Sequence, residues 1–380
     1  MAERARSIDT LRGAVMVLMV LDHARDFFVE LPYEPTDLAH TTVPLFFTRF
    51  ITHYCAPVFV LLTGTGAYLH AHKRGLAATR HFLWTRGLWM IVLELTIVRF
   101  AWIPDPFYRF SVLQVIWALG FAMLALSLLV RLPYRAVVAV GALIVLGHNA
   151  LDPIDQLHLP RPEWELWHFL HQPGRFQIGT RTIWEAYPVL PWLGVMALGF
   201  GLGKVFTLES AERRRTLFRL GLGTTLGFVL LRASNLYGDA SEWHVQARGA
   251  AFSLMSFLNC TKYPPSLCYL AMTLGPALLV LAALDRGAPR MFAPLDVFGR
   301  VPLFFYLAHL YLLRFTAAPI AYARFGGSAL EPPPGHAGNP GFGLWGAYVA
   351  WGCAILLLYP CCRWYARKKS ESHSAWLSYL

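Results

Sequence analysis

Apolar residues form long runs along the chain, separated by short joints that contain polar residues, proline or glycine. A membrane helix needs about 20 apolar residues, whereas the strands of a membrane barrel alternate over about ten residues. Because these runs are long and continuous, the pattern predicts an all-α polytopic membrane protein. The predicted spans, about ten in number, lie at about 10–30, 45–71, 82–103, 110–131, 134–151, 184–206, 215–236, 263–284, 296–323 and 343–363.

Two of the joints are long. Residues 153–182 carry aromatic side chains such as Trp164 and Trp167 between proline breaks, which is typical of a segment in the membrane interface. Residues 324–342 are rich in glycine and proline and are predicted to form a plain loop. No internal repeat is visible, so the simplest organisation is a single domain over residues 1–380.

Composition supports the membrane prediction. The chain is 56% hydrophobic and only 14% charged, and its mean hydropathy is +0.45. Soluble domains carry about 25% charged residues, so the sequence indicates an integral membrane protein. Its six cysteines show no paired C-x-x-C spacing; they predict small core residues and no metal site.

The charges alternate from joint to joint. Basic residues, such as Lys73 with Arg74 and the run Arg213 to Arg215, fall at every second joint, and acidic residues such as Asp152 fall at the others. The positive-inside rule then predicts that both termini are cytoplasmic. The net charge of +11 is thus a topology signal, which argues against a nucleic-acid partner.

The first predicted span contains a polar group, Asp22-His-Ala-Arg-Asp26, well before a bilayer would be crossed. Arg12, His23 and Asp26 recur at helical spacing and share one face. Ionisable groups at membrane depth are costly and usually functional. His23 is therefore predicted to be a catalytic residue, with Asp26 orienting its ring. The alternative is an interhelical polar clamp that only fixes packing.

Later spans repeat the pattern of ionisable groups at one depth. Together they predict a wet cavity that opens outward, although each group alone has a structural alternative. The candidates for contact with a substrate there are His53, Glu185, Arg232, Lys262 and His309. His40 differs, because it lies in the joint after the first span and is predicted to reach solvent.

Several motifs resemble a known family. Ser7-Ile-Asp-Thr-Leu-Arg-Gly13, followed by an apolar turn and a polar residue at position 23, resembles the opening of the heparan-α-glucosaminide N-acetyltransferase catalytic-domain family. The same opening is similar to the wider superfamily of transmembrane type-3 acyltransferases. The stretches Pro188 to Gly199, Lys262 to Ser266 and Phe298 to His309 are similar to the bacterial members of the family.

The resemblance implies a membrane enzyme that moves acetyl from cytosolic acetyl-CoA to an amine or hydroxyl of a sugar or glycan on the far side, with a histidine as general base. It also implies a bacterial cytoplasmic membrane, no metal cofactor, and membrane lipids with a small-molecule or glycan acceptor as partners. A homo-oligomer is left open. The basic residues suited to CoA phosphates at the cytoplasmic end are Arg12, Lys73, Arg74, Arg86 and Arg300.

The two resemblances nominate different bases. The animal enzyme aligns an asparagine with His23 and has its catalytic histidine in the following outer segment, closest here to His40. The type-3 acyltransferases favour the position of His23, which is preferred here because burial beside Asp26 can tune its pKa. The rival function is a transporter or lipid-linked-sugar flippase, in which the same charges line a permeation path and no acyl group moves.

Overall fold

Helices dominate the computed structural model, which describes residues 6–154, 160, 163–327 and 338–372. Parts of the predicted interfacial segment and of the predicted loop at 324–342 lie outside these residues. The helices are α1 (Arg6–Phe28), α2 (Val43–Thr52), α3 (Cys55–Arg74), α4 (Leu76–Leu93), α5 (Arg99–Trp102), α6 (Val115–Leu129), α7 (Tyr134–Gly147), α8 (Glu163–Leu170), α9 (Val189–Gly203), α10 (Ser210–Ser234), α11 (Ala250–Leu258), α12 (Leu267–Leu284), α13 (Ala293–Arg300), α14 (Pro302–Phe325) and α15 (Leu344–Glu371).

The predicted all-α membrane fold is confirmed. Among the described residues, eight helices are long and apolar enough to cross a membrane. α6 is apolar but has only 15 residues, and α1 carries the polar group of the first predicted span. The orientation of the termini stays a prediction.

Prolines set several helix boundaries. The sixth predicted span begins as a helix only at Val189, after Pro188. The ninth is broken at Val301 into α13 and α14, because the residue before Pro302 is pushed out of the helical region. The second is interrupted between Thr52 and Cys55.

A small sheet of three strands was not predicted. Its strands are β1 (Phe110–Leu113), β2 (Gly174–Ile178) and β3 (Arg181–Glu185), in the order β1-β3-β2. β1 pairs with β3 in parallel, with Leu113 opposite Glu185, and β2 pairs with β3 as an antiparallel hairpin. The predicted helical spans 110–131 and 184–206 are therefore wrong at their first residues, which lie in β1 and β3.

The chain divides into two compact units. The first comprises Met1–Cys55, Ile97–Pro106 and Leu284–Leu380, and the second comprises Ala56–Thr96 and Phe107–Ala283. In the first unit, α1 packs on α13, α14 and α15. A methyl group on Gly13 would lie 1.9 Å from the carbonyl oxygen of Leu295, and one on Gly299 would lie 1.9 Å from that of Asp9. The paired glycines therefore let α1 and α13 approach at backbone contact.

The second unit is built around α9. This helix packs on α6 and α7, while α6 also packs on α4. Gly64 and Gly199 bring α3 and α9 together, because a methyl group on Gly64 would lie 2.0 Å from the carbonyl oxygen of Met196. Trp192 of α9 is fully buried in this core. The sheet also belongs to the second unit.

Candidate functional site

His23 lies near the end of α1, inside the first unit, and is only 9% exposed. Its ring is nearly parallel to that of His309 on α14, at 5.0 Å between ring centroids. Trp102 of α5 meets the ring edge-on at 5.1 Å, and Tyr306 of α14 meets it at 6.2 Å. Three rings from two other helices, α5 and α14, thus surround one buried imidazole.

A chain of hydrogen bonds fixes how the two histidines are protonated. Nδ1 of His309 lies 2.8 Å from the carbonyl oxygen of Phe305, and a carbonyl only accepts, so this nitrogen carries a proton. In the neutral ring, Nε2 of His309 is then the acceptor. Nδ1 of His23 lies 2.7 Å from that atom and donates to it. The neutral tautomer of His23 therefore carries its lone pair on Nε2, as a general base requires.

Asp26 does not hold the role predicted for it. Its carboxylate pairs with Arg25 at 2.5 Å, and the orienting contact to Nδ1 of His23 comes from His309 instead. Asp22 forms an ion pair with Arg25 at 2.9 Å and accepts hydrogen bonds from Arg49 at 2.6 Å. The charged residues beside His23 on α1 therefore pair with one another and with Arg49 of α2, and the histidine is oriented by His309.

Trp102 adds a hydrogen-bond donor that sequence reasoning missed. Its Nε1 is shielded from solvent and has no hydrogen-bond partner among the described residues. The ring is held in place by stacking on Phe27, at 4.8 Å between centroids. A buried N–H group beside a base is a candidate donor to an oxyanion. Its only signal in the sequence was a tryptophan near the outer end of the third span.

The other candidates of the first unit have contacts of their own. His40 is 64% exposed, donates to Asp37 at 2.6 Å and stacks on Tyr33; its hydrogen bond lowers the pKa of Asp37. His53 is buried at the end of α2, with its ring edge-on to Phe50. Arg12 donates to the carbonyl oxygen of Gly299 at 3.1 Å, and Arg300 is exposed at the end of α13.

The remaining candidates lie in the second unit and do not form one cluster there. Arg232 donates to the backbone carbonyls of Phe257 at 3.0 Å and Asn259 at 3.0 Å, so it clamps a loop. Lys262 lies over the ring of Tyr263 at 5.0 Å. Two side chains predicted to bind CoA, Lys73 and Arg74, are exposed at the end of α3. The third, Arg86, lies over the ring of Phe82 at 5.3 Å.

Glu185 is a buried carboxyl at the end of β3, 1% exposed. Its carboxyl group accepts a hydrogen bond from Nε1 of Trp117 at 3.1 Å. The backbone N–H of Trp117 donates to a second carboxyl group, that of Glu94, at 3.2 Å. Burial raises the pKa of Glu185 to about 8. The hydrogen bond from Trp117 lowers this pKa, but by less than burial raises it. The group is therefore mainly protonated at neutral pH.

The raised pKa of Glu185 gives a testable pH dependence. The folded state binds this proton more tightly than the unfolded chain, so the stabilisation is complete below the ordinary pKa of 4.5 and is lost as pH rises through about 8. We expect Glu185→Gln to remove a slope of up to about 1.4 kcal/mol per pH unit from the free energy of unfolding in this window. Thermal midpoints of the purified protein across that range measure it; identical slopes for both proteins would contradict it.

One group of side chains has the donor types of a metal site. Among the described residues, the group consists of His148, Asp152 and His171, in the second unit. Sequence reasoning predicted no metal and missed this set, although His148 and Asp152 are separated by one helical turn.

Comparison with known proteins identifies the family. The family model described as heparan-alpha-glucosaminide N-acetyltransferase, catalytic, matches residues 4–230, which is more than half of the 380 residues. The match includes His23 and ends before His309. No curated protein matches the chain. With its membrane helices, the chain therefore belongs to the heparan-alpha-glucosaminide N-acetyltransferase catalytic family and is an enzyme of the transmembrane acyltransferase type.

Proposed function

We propose that the protein transfers an acetyl group from acetyl-CoA to an amine or hydroxyl of a sugar or glycan, with Nε2 of His23 as the general base. The observation that carries the proposal is the hydrogen-bond chain from His23 through His309 to the carbonyl of Phe305. It leaves the proton-accepting nitrogen of His23 on the side of the ring away from His309. The family match supports the acetyl group as the one transferred.

The positions of His23, His309 and Trp102 suggest the steps by which the acetyl group is transferred. His23 takes a proton from the acceptor as the acceptor nitrogen or oxygen forms a bond to the thioester carbonyl carbon. Nε1–H of Trp102 donates to the oxygen that becomes negative in the tetrahedral intermediate. As the carbon–sulfur bond breaks, His23 returns the proton to the departing CoA sulfur. Nε2 of His309 accepts from Nδ1 of His23 throughout, which stabilises the transient imidazolium.

Exposed cations in each of the two units are candidates to bind the phosphates of CoA. Lys73, Arg74 and Arg300 are exposed, and Arg12 and Arg86 are partly exposed. Guanidinium and ammonium groups bind phosphate oxygens by charge-assisted hydrogen bonds. By the positive-inside pattern these residues belong to the cytoplasmic side, where acetyl-CoA is available. The acceptor then approaches from the opposite side.

A direct assay tests the proposal. Purified protein in lipid vesicles is incubated with acetyl-CoA labelled in the acetyl group and a panel of amino sugars and hydroxyl-bearing glycans. We expect labelled acetyl to appear on an acceptor, with one free CoA thiol released for each product, because the acyl group leaves the sulfur as it joins the acceptor. Mass spectrometry of the acceptor and a thiol reagent measure the two products.

Two outcomes would contradict the proposal. In the first, acetyl-CoA at millimolar concentration neither shifts the thermal midpoint nor yields product with any acceptor. In the second, the vesicles accumulate a sugar without acetyl-CoA, which is the result expected of a transporter or flippase. Protein-free vesicles and heat-denatured protein serve as controls for chemical acetylation.

A further inference from the structure

His148, Asp152 and His171 bring three metal-ligating side chains to one place. His148 lies in the 3-10 turn His148–Leu151 that follows α7, Asp152 follows that turn, and His171 follows α8. One ligand atom from each residue lies within 4.8 Å of those of the other two. Nε2 of His171 is 3.1 Å from Oδ1 of Asp152.

The two histidines are deeply buried and most of their ring nitrogens are unsatisfied. His148 is 2% exposed and His171 is 0% exposed. Within the described part of the chain, both ring nitrogens of His148 and Nδ1 of His171 have no hydrogen-bond partner. Nε2 of His171 contacts the carboxylate of Asp152. A buried polar atom without a partner costs free energy, so three such atoms beside a carboxylate call for a ligand.

Neighbouring side chains hold the cluster in shape. Nδ2 of Asn149 donates to Oδ2 of Asp152 at 2.8 Å, which leaves Oδ1 facing the histidines. Asn149 is itself fixed, because its Oδ1 accepts from the backbone N–H of Leu267 at 2.8 Å. The ring of Trp167 packs edge-on to His171, at 4.8 Å between centroids. A hydrogen bond that orients a ligating carboxylate in this way is typical of metal sites.

We propose that His148, Asp152 and His171 bind a divalent transition-metal ion, for which Zn²⁺ is the best fit. Two imidazoles and one carboxylate are ligands that Zn²⁺ prefers. With zinc–nitrogen distances of about 2.0–2.1 Å, neighbouring ligand atoms of a tetrahedral site are about 3.3 Å apart. The contact between His171 and Asp152 already has nearly that length. A water molecule completes the fourth position.

The ion would join two segments that are distant in sequence. It ties the turn after α7 to the end of α8, the short helix between the fifth and sixth predicted spans. The charge pattern places this joint on the outer side of the membrane, where the ion arrives from outside the cell. The site lies in the second unit, whereas His23 lies in the first, so the proposal does not depend on acetyl transfer.

Metal content tests the proposal on the full-length protein, purified without a histidine tag. The protein is stripped with a chelator, incubated with Zn²⁺, freed of excess metal and measured by elemental mass spectrometry. We expect one Zn²⁺ per chain and a rise in the thermal midpoint, because an ion that binds only the folded state stabilises it. His148→Ala and His171→Ala should each lose the stoichiometric ion and the rise.

His168→Ala is the matched control. His168 is also buried on α8, but it is not among the clustered residues and its Nδ1 lies 3.1 Å from the carbonyl oxygen of Gln172. We expect this variant to keep one Zn²⁺ per chain. If it loses the ion as completely as the two ligand variants do, the assigned ligand set is wrong.

Asp152→Asn and a cobalt spectrum keep the test decisive if an alanine variant fails to fold. Asparagine preserves the shape of the side chain but removes the charge of a direct ligand, so Zn²⁺ should bind more weakly by at least the about 10- to 100-fold that the loss of an outer-shell partner costs. Co²⁺ in the wild-type protein should give the intense visible absorption of a four-coordinate ion. A wild-type protein that binds neither Zn²⁺ nor Co²⁺ would overturn the proposal. Buried water molecules would then be the partners of the ring nitrogens.

Discussion

His23→Gln is expected to lower kcat for acetyl transfer by about 10²- to 10⁴-fold, the usual contribution of a general base. Glutamine has no nitrogen that accepts a proton at neutral pH, but its amide can still donate to Nε2 of His309. The KM for acetyl-CoA should therefore change little, and the protein should remain folded. Initial rates with labelled acetyl-CoA, together with thermal midpoints, measure the three quantities.

His40→Gln is the competing experiment, because one resemblance nominates His40 as the base. Its ring is exposed and paired with Asp37, whereas His23 is buried and ordered by His309. His244→Gln, at an exposed histidine of the second unit, controls for losing any imidazole. An active His23→Gln protein beside an inactive His40→Gln protein would transfer the role of base to His40.

The fold was largely predictable because hydrophobic run length has few solutions in a bilayer. A run of about 20 apolar residues can satisfy its backbone there only as a helix. The sixth predicted span contains Pro188 near its start, and α9 begins directly after this proline. The break at Val301 was missed although Pro302 follows it, because the apolar residues on both sides were taken as one span.

The small sheet could not be read from its own residues. β1 has only four residues, and its pairing partner β3 lies about 70 positions later, from Phe110 to Thr182. Strand propensity depends on such partners more than on the strand itself. β1 also adjoins an apolar helix, so its residues were absorbed into the predicted span. The sheet matters because it holds Glu185.

The candidate site was predictable in part for a similar reason. His23 and His309 were each predicted as site residues, because burying an ionisable group at membrane depth costs free energy and such groups are usually functional. Their contact joins positions 286 residues apart in sequence, which no local spacing reveals. Spacing instead favoured Asp26, three residues from His23, and this carboxylate pairs with Arg25. Trp102 was missed because an unsatisfied N–H group is visible only in three dimensions.

His309→Phe is expected to reduce kcat by about 10²- to 10⁴-fold, the loss that follows when the partner that fixes the tautomer of a catalytic histidine is removed. Phenylalanine fills the buried space but cannot accept from Nδ1 of His23. That N–H group is then left unsatisfied, and the proton is no longer held on Nδ1. His309 acts here as a positioning residue, so kcat should fall while the KM for acetyl-CoA stays near the wild-type value.

His309→Gln separates positioning from packing. The side-chain oxygen of glutamine can accept from Nδ1 of His23, as Nε2 of His309 does, so this variant should recover a large part of the kcat that His309→Phe loses. A merely structural histidine predicts the opposite order, because phenylalanine preserves the apolar contacts with Phe305 and glutamine does not. Steady-state kinetics on both variants, with thermal midpoints to confirm folding, decide between them. If His309→Phe keeps the wild-type kcat, the hydrogen-bond chain to Phe305 does not set the base, and the proton must be held on His23 by another group.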